Sequence, residues 1–258
     1  MKTDDLIKTS ILNCAQHDLY TGDHVLTDEQ QREFDKLKVR YEAGEPLQYI
    51  LGQWQFCGAE LTCDHRALIP RPETEILIDE AVKRVASDAK ILNIGVGTGN
   101  IEIALASKLS EAYITGVEVS RKSIELAQEN VAKTQYAQRV NLLHQDIRFY
   151  LNRERGDFDL IISNPPYVPT NDWQKLPQDV RNEPRIALDG GCDGLDFYRL
   201  IITHAASKLN ANGYLMFECG DGQHETIAKL INDQKQFGVV EFIKDLSGVV
   251  RVVIARIK

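Results

Sequence analysis

An apolar run, Ile91-Leu92-Asn93-Ile94, leads directly into Gly95-Val96-Gly97-Thr98-Gly99, and a second apolar stretch, Ile101 to Leu109, follows at once. A short buried strand, a glycine turn and a helix in that order leave few architectures open. Glycines at that junction let the backbone turn tightly and come close to a ligand lying across it. A second β-rich run, Tyr113 to Val119, completes a βαβ unit, whose two strands lie parallel in one sheet.

The alternation continues. Ser120 to Val131 reads as a helix, Val140 to Leu143 and Phe158 to Ser163 as strands, Tyr198 to Leu209 as a helix and Tyr214 to Glu218 as a strand. This predicts an α/β fold with a mostly parallel, doubly wound sheet. At the end, Val239 to Lys244 and Val250 to Ile257 are joined by only Asp245-Leu246-Ser247-Gly248, too short for a helical crossover, so the two runs pair antiparallel. An antiparallel terminal hairpin on a parallel sheet resembles the Rossmann-like domain of class I methyltransferases.

Ahead of this region, residues 3–43 carry apolar side chains at helical spacing, among them Leu6, Ile11, Leu12, Phe34, Leu37 and Tyr41. Thr27-Asp28-Glu29-Gln30 supplies an N-cap and early acids, and Gly44-Glu45-Pro46 stops the helix. Gln48 to Leu68 holds short aromatic and β-branched runs broken by Gly52, Gly58 and Asp64, the pattern of a strand pair. The expected organisation is a helical unit over 1–46, a β-hairpin connector over 47–69 and the α/β domain over 70–258. Residues 219–238 receive no element, and residues 168–189 form the one long loop, the kind that serves a site at the strand ends.

The formal charge of -8 disfavours extended contact with a phosphate backbone. With 43% hydrophobic and 26% charged residues and no apolar run of spanning length, the chain reads as a globular protein with no membrane partner. Residues 1–14 contain Asp4 and Asp5 and neither an apolar core nor an Arg-rich amphipathic stretch, so no secretory or transit segment is expected. Cys14, Cys57, Cys63, Cys192 and Cys219 are odd in number, far apart and without a CxxC pair, which argues against a metal site or a disulfide framework and fits reduced thiols in a cytoplasm.

The glycine pattern is G-x-G-x-G, with Asn100 at the last position of a G-x-G-x-x-G dinucleotide fingerprint, which weakens a nicotinamide reading. Glu118 ends the second strand about 20 residues after the loop, where a carboxylate accepts both ribose hydroxyls of an adenosine. That placement suits NAD and S-adenosylmethionine alike, and an ordinary strand-end acid equally.

Asn164-Pro165-Pro166-Tyr167 follows directly on the strand Phe158 to Ser163 and so emerges at the carboxyl edge of the sheet, where ligands bind. Two prolines fix the backbone and remove donors, leaving carbonyl acceptors, and the Asn164 side chain adds one more. Such a corner grips an NH2 group. An amide nitrogen is a poor nucleophile; bonds from its hydrogens to Asn164 Oδ1 and the Pro165 carbonyl orient it and favour positive charge building on it. Direct transfer of a methyl group then needs no covalent enzyme intermediate and no dedicated base, since the newly substituted nitrogen loses its proton to water. Tyr167 offers a ring for a planar amide or base to stack on, or is a half-buried aromatic at a strand end.

Five separated blocks in order, Gly44 to Gly52, Ile69-Pro70-Arg71-Pro72-Glu73-Thr74-Glu75, the glycine loop, Asn164 to Tyr167, and Glu183-Pro184 with Ala187-Leu188, make the chain similar to the peptide chain release factor glutamine methyltransferases, the HemK/PrmC family. The resemblance implies a seven-stranded S-adenosylmethionine methyltransferase domain with a small helical N-terminal domain joined by a β-hairpin. It also implies transfer of a methyl group to the side-chain amide nitrogen of the glutamine in the Gly-Gly-Gln motif of class 1 release factors, with the helical unit helping to dock the factor. It assigns Gly95, Gly97, Gly99, Glu118, Asp146 and Asn164 to the cofactor, Asp146 as an acceptor for the adenine amino group. Asn164, Pro165 and Tyr167 form the catalytic set, and Pro166, Arg71 and Glu73 join them on the substrate, where Arg71-Pro72-Glu73 is otherwise simply a helix start. No metal and no nucleic acid are required.

Asn93 departs from the pattern, standing where the family usually carries an acid, and the helical unit is short. An Asn there still accepts a hydrogen bond but lacks the charge that favours the cofactor's ammonium, at a cost on the order of 1 kcal/mol. Two other readings stay open. The asparagine-proline corner is shared with enzymes that methylate a ribosomal-protein glutamine or a nucleic-acid amino group. The altered Asn93 also fits a cofactor-binding partner of the translation machinery that performs no catalysis.

Overall fold

The computed structural model describes residues 3–14, 17–21, 25–152 and 156–258. Residues 1–2, 15–16 and 22–24 of the expected helical unit lie outside the described residues. That unit comprises α1 (Thr3–Leu12), α2 (Asp18–Thr21), α3 (Asp28–Glu42) and α4 (Leu47–Leu51). Thr27 caps α3 reciprocally: its hydroxyl accepts from the Gln30 backbone N–H at 3.3 Å, and the Gln30 side chain accepts from the Thr27 N–H at 3.0 Å. Ile7, Phe34, Leu37 and Ile50 close a small core among these helices.

Ile50 belongs to α4, so this core includes a segment that its aromatic and β-branched content places in the connector. Pro46 and the left-handed Gly52 (φ 73°) bracket five residues into a helical turn. The hairpin itself, β1 (Gln53–Phe56) and β2 (Ala59–Thr62), starts only at Gln53.

The α/β domain runs α5 (Pro72–Val82), β3 (Lys90–Ile94), α6 (Asn100–Lys108), β4 (Tyr113–Glu118), α7 (Arg121–Ala132), β5 (Val140–His144), α8 (Ile147–Leu151), β6 (Phe158–Ser163), α9 (Gln178–Arg181), α10 (Asp196–Lys208), β7 (Leu209–Glu218), α11 (His224–Asn232), β8 (Glu241–Lys244) and β9 (Val250–Arg256). Its seven strands lie in the order β5-β4-β3-β6-β7-β9-β8, parallel except for β9, which is antiparallel to both β7 and β8. This is the class I methyltransferase sheet that the alternation predicts.

Alternate residues of each strand serve opposite faces. Ile91, Leu160, Ile162, Met216 and Ile254 pack with α5, α6 and the hairpin's Phe56 and Leu61. Leu92, Ile161, Leu215, Phe217 and Val253 pack with α8, α10 and α11. With both faces covered, the strands read as continuous apolar runs. β3 has β4 on one side and β6 on the other, so successive crossovers part there and leave a crevice at the carboxyl ends.

Candidate active site

At that crevice lies a cleft of about 940 Å³, its open mouth included, floored by Gly95, Val96 and Gly97 and walled by Glu118, Asn164 and Pro165. The glycine loop leaves β3 with left-handed backbone at Gly95, Gly97 and Gly99, at φ 85°, 58° and 82°. Two of these glycines answer to different demands. A Cβ on Gly97 would meet no atom within 4 Å, so its freedom serves the turn and the open space above it, whereas a Cβ on Gly99 would stand 3.3 Å from Ala127 Cβ of α7. Gly99 is therefore the N-cap of α6 and a packing contact, and it does not line the cleft.

Glu118 reaches the cleft from the end of β4. One carboxylate oxygen accepts from the Ser120 N–H at 2.8 Å and the other from the Gly97 N–H at 3.2 Å, so the carboxylate and the glycine loop hold each other. Burial raises its pKa, and these backbone donors work against that shift. Asp146 sits elsewhere: as the N-cap of α8 it accepts from the Arg148 N–H at 2.9 Å and pairs with the Arg148 guanidinium, which lowers its pKa. The residues beside it, Gln145 and Ile147, line the cleft instead.

Opposite Glu118, Asn164, Pro165 and Pro166 follow β6 and line the cleft. Asn164 Nδ2 donates to Thr74 Oγ1 at 3.2 Å, and Thr74 Oγ1 donates to Glu218 Oε2 at 2.5 Å. Thr74 and Glu218 are 1% and 2% exposed, and burial pushes the Glu218 carboxyl up to about 7. Tyr167 is absent from the cleft lining, although the charges of Glu218, Arg71 and Glu73 act on its hydroxyl. It packs against the core under α10 and α11, its ring carbon lying 3.0 Å from where a Cβ on Gly220 would stand, while its carbonyl accepts from Gln223 Nε2 at 2.9 Å.

Arg71 lines the cleft and forms an ion pair with Glu183. Glu183 is 4% exposed and also accepts from the Ile69 N–H at 2.9 Å, which ties the 168–189 segment to the chain entering α5. Burial raises the Glu183 pKa and the Arg71 charge opposes this. The segment is not irregular throughout: it contains α9 and short 3₁₀ turns at Thr170–Lys175 and Arg185–Ala187. It also touches the helical unit, Gln178 Nε2 donating to the Ala43 carbonyl at 3.1 Å and Asn182 Nδ2 to that of Gly44 at 2.6 Å. Glu73 is absent from the cleft lining and acts instead on Glu218 and Arg251 behind it.

Asn93 differs from its sequence reading. It is 0% exposed and outside the cleft lining, so it offers nothing to a ligand's ammonium. Its Nδ2 donates to Glu102 Oε1 at 2.7 Å, and Glu102 is also 0% exposed. The carboxyl absent from β3 is thus supplied by the first turn of α6. Asn93 Oδ1 and Glu102 Oε2 lack partners, and burial pushes Glu102 up to about 7.

Pattern reading singles out neither Thr74, Glu183, Glu218 nor Gln223 as a functional side chain. Thr74 and Glu183 stand inside motif blocks, which was the available signal; Glu218 and Gln223 carry none, because their partners lie 144 and 56 positions away.

Residues 72–183 match the family model of the methyltransferase small domain, and residues 5–52 that of the PrmC N-terminal domain. A release factor glutamine methyltransferase of Geobacter sulfurreducens is 46% identical over 222 residues, 86% of this chain and 76% of the relative. Another, of Bacillus cereus, is 36% identical over 239 residues, 90% and 84% of the two chains. A methyltransferase crystal structure from Pyrococcus furiosus superposes with a TM-score of 0.58 over 89% of this chain and 98% of its own at 18% identity, a likeness of fold.

Proposed function

We infer from the membership of this chain in the release factor glutamine methyltransferase family that it uses S-adenosylmethionine to methylate the side-chain amide nitrogen of a release-factor glutamine. The observation that carries this reading is the meeting of two features in one cleft, a glycine loop held to Glu118 and an asparagine-proline corner a strand away.

The donor set suits the cofactor. Glu118 presents carboxylate oxygens for ribose hydroxyls, Gly95 and Gly97 let backbone approach without side chains, and Val96, Ile147 and Val119 give an apolar bed for a flat base. S-adenosylmethionine supplies, when bound, a methyl group on a sulfonium. We assign the cofactor to Gly95, Gly97, Glu118 and the neighbouring Gln145 and Ile147.

Asn164 Oδ1 and the Pro165 carbonyl receive the two hydrogens of the substrate NH2. Acceptors placed there orient the nitrogen lone pair and stabilise the positive charge that grows on nitrogen. Prolines at 165 and 166 keep backbone N–H donors out of the corner. Arg71, held by Glu183, stands at the cleft wall to meet backbone carbonyls flanking the glutamine. The Gly-Gly-Gln tip of class 1 factors suits this corner because glycines beside the glutamine let backbone enter a narrow cleft. The formal charge of -8 makes nucleic acid a poor competitor. Among the described residues no helix is long and apolar enough to cross a membrane, and five free thiols suit a reducing compartment, so we place the reaction in the cytoplasm.

Labelled S-adenosylmethionine offered together with a class 1 release factor, a ribosomal protein or nucleic acid tests this reading. Label in the release factor, lost when its glutamine is replaced by glutamate, is the expected result; label in nucleic acid alone overturns it.

A further inference from the structure

We propose that Thr74 and Glu218 are positioning residues that fix which face of the Asn164 amide meets the substrate. This rests on the reading above that Asn164 Oδ1 accepts from the substrate nitrogen.

A hydroxyl has a single proton. Thr74 Oγ1 gives its proton to Glu218 Oε2 at 2.5 Å, so toward Asn164 it can only accept, and it accepts from Nδ2 at 3.2 Å. Turning the amide over would set Oδ1 against an oxygen whose proton is already committed. The Asn164 amide is therefore locked with Oδ1 pointing away from Thr74. All three groups meet at the carboxyl edge of the sheet: Ser163 pairs with Phe217 in register, so Asn164 and Glu218 are the next residues out on β6 and β7, and Thr74 on α5 spans the space beside them.

The direction of this chain depends on the proton of Glu218. An ionised carboxylate only accepts, which forces the order Asn164 to Thr74 to Glu218. A protonated Glu218 can donate to Thr74, Thr74 can then donate to Asn164 Oδ1, and the NH2 turns to the cleft, where it repels the hydrogens of a substrate amide. Burial raises the Glu218 pKa; the hydrogen-bonding side chains of Thr74 and Asn164 lower it, Glu73 of α5 raises it and Arg251 of β9 lowers it, and the Tyr167 hydroxyl and the Cys219 thiol also face it. Tyr198 of α10 binds its backbone carbonyl at 2.8 Å and leaves the carboxylate alone. With the carboxyl at about 7, turnover rises with pH across neutrality.

The test uses the full chain and its Thr74→Val, Thr74→Ser and Glu218→Gln variants. Turnover on a release factor, S-adenosylmethionine affinity by calorimetry, and protection and pH titration of the Asn164 side-chain amide by NMR are each measured. Thr74→Val should lose roughly 100-fold in kcat with cofactor affinity unchanged. Thr74→Ser should recover most of that loss, and Glu218→Gln should flatten the acid limb of the kcat profile. In the wild type the Asn164 amide protons should be protected and shift as Glu218 titrates, and Thr74→Val should abolish both effects. An unprotected, pH-insensitive Asn164 amide in the wild type, or a Thr74→Val enzyme with wild-type kcat, overturns the proposal. A wild type that leaves release factors unmodified while its Asn164 amide behaves as described overturns the substrate reading and leaves the lock standing.

Discussion

Asn164 lines the cleft and gives its Nδ2 to Thr74, which in the proposed function leaves Oδ1 for the substrate. Asn164→Ala should therefore lower kcat by a factor on the order of 100 or more while S-adenosylmethionine binds as before; a matching loss of cofactor affinity in calorimetry would reassign the residue. Glu102 invites a different measurement. Its folded pKa of about 7 lies above the 4.5 of an unperturbed glutamate because burial disfavours the charge. The folded state thus holds this proton more tightly, and the stability it contributes is full below about 4.5 and is lost as pH rises through about 7. Urea midpoints should fall across that window, Glu218 adding a drop of the same sign, and Glu102→Gln should flatten part of the fall. Asn93→Asp, which sets a second carboxyl against the first with no cation beside them, should cost about 3 kcal/mol near neutral pH. Consecutive residues made the floor and one wall of the site legible: Gly95 to Gly97, within the glycine run, and Asn164 to Pro166. The Thr74–Glu218 support was not legible, because residues 144 positions apart meet only after the sheet is assembled. Nor does a position in a motif fix where a side chain points, as Asp146, bound to Arg148 and absent from the cleft lining, shows.

Elements become cleft walls through a few ties. Asn130 on α7 accepts from the Thr62 N–H at 2.8 Å and donates to the carbonyls of Thr62 and Thr98, each at 3.0 Å, joining the hairpin to the glycine loop. Asn130→Ala leaves three backbone groups without their partner, the Thr98 carbonyl buried and the two of Thr62 partly so, and should cost about 2 kcal/mol of stability in denaturant titration, with weaker S-adenosylmethionine binding. Glu183 performs the same service for the 168–189 segment, and Glu183→Gln should raise KM for the release factor while leaving the cofactor's Kd in place. The parallel strands and the crossover helices α6, α7 and α10 could be read from sequence because burial on both faces leaves unbroken apolar runs between glycine and polar turns. α4, α8 and α11 could not: the first two are five residues long, too short for a helical period, and α11 shows only Ile227, Ala228 and Ile231 to the core.

At the scale of the molecule, the cleft lies at the carboxyl edge of the sheet, and the helical unit is tied to it through the 168–189 segment. The 168–189 segment reaches both Arg71 in the cleft and the chain just past the end of α3. The net charge of -8 gives a long-range field that repels a phosphate backbone. Peptide mass spectrometry of a class 1 release factor incubated with this protein and S-adenosylmethionine is the direct test. One added methyl on the Gly-Gly-Gln glutamine is the expected result; an unmodified glutamine, with cofactor binding demonstrated in the same sample, would contradict it.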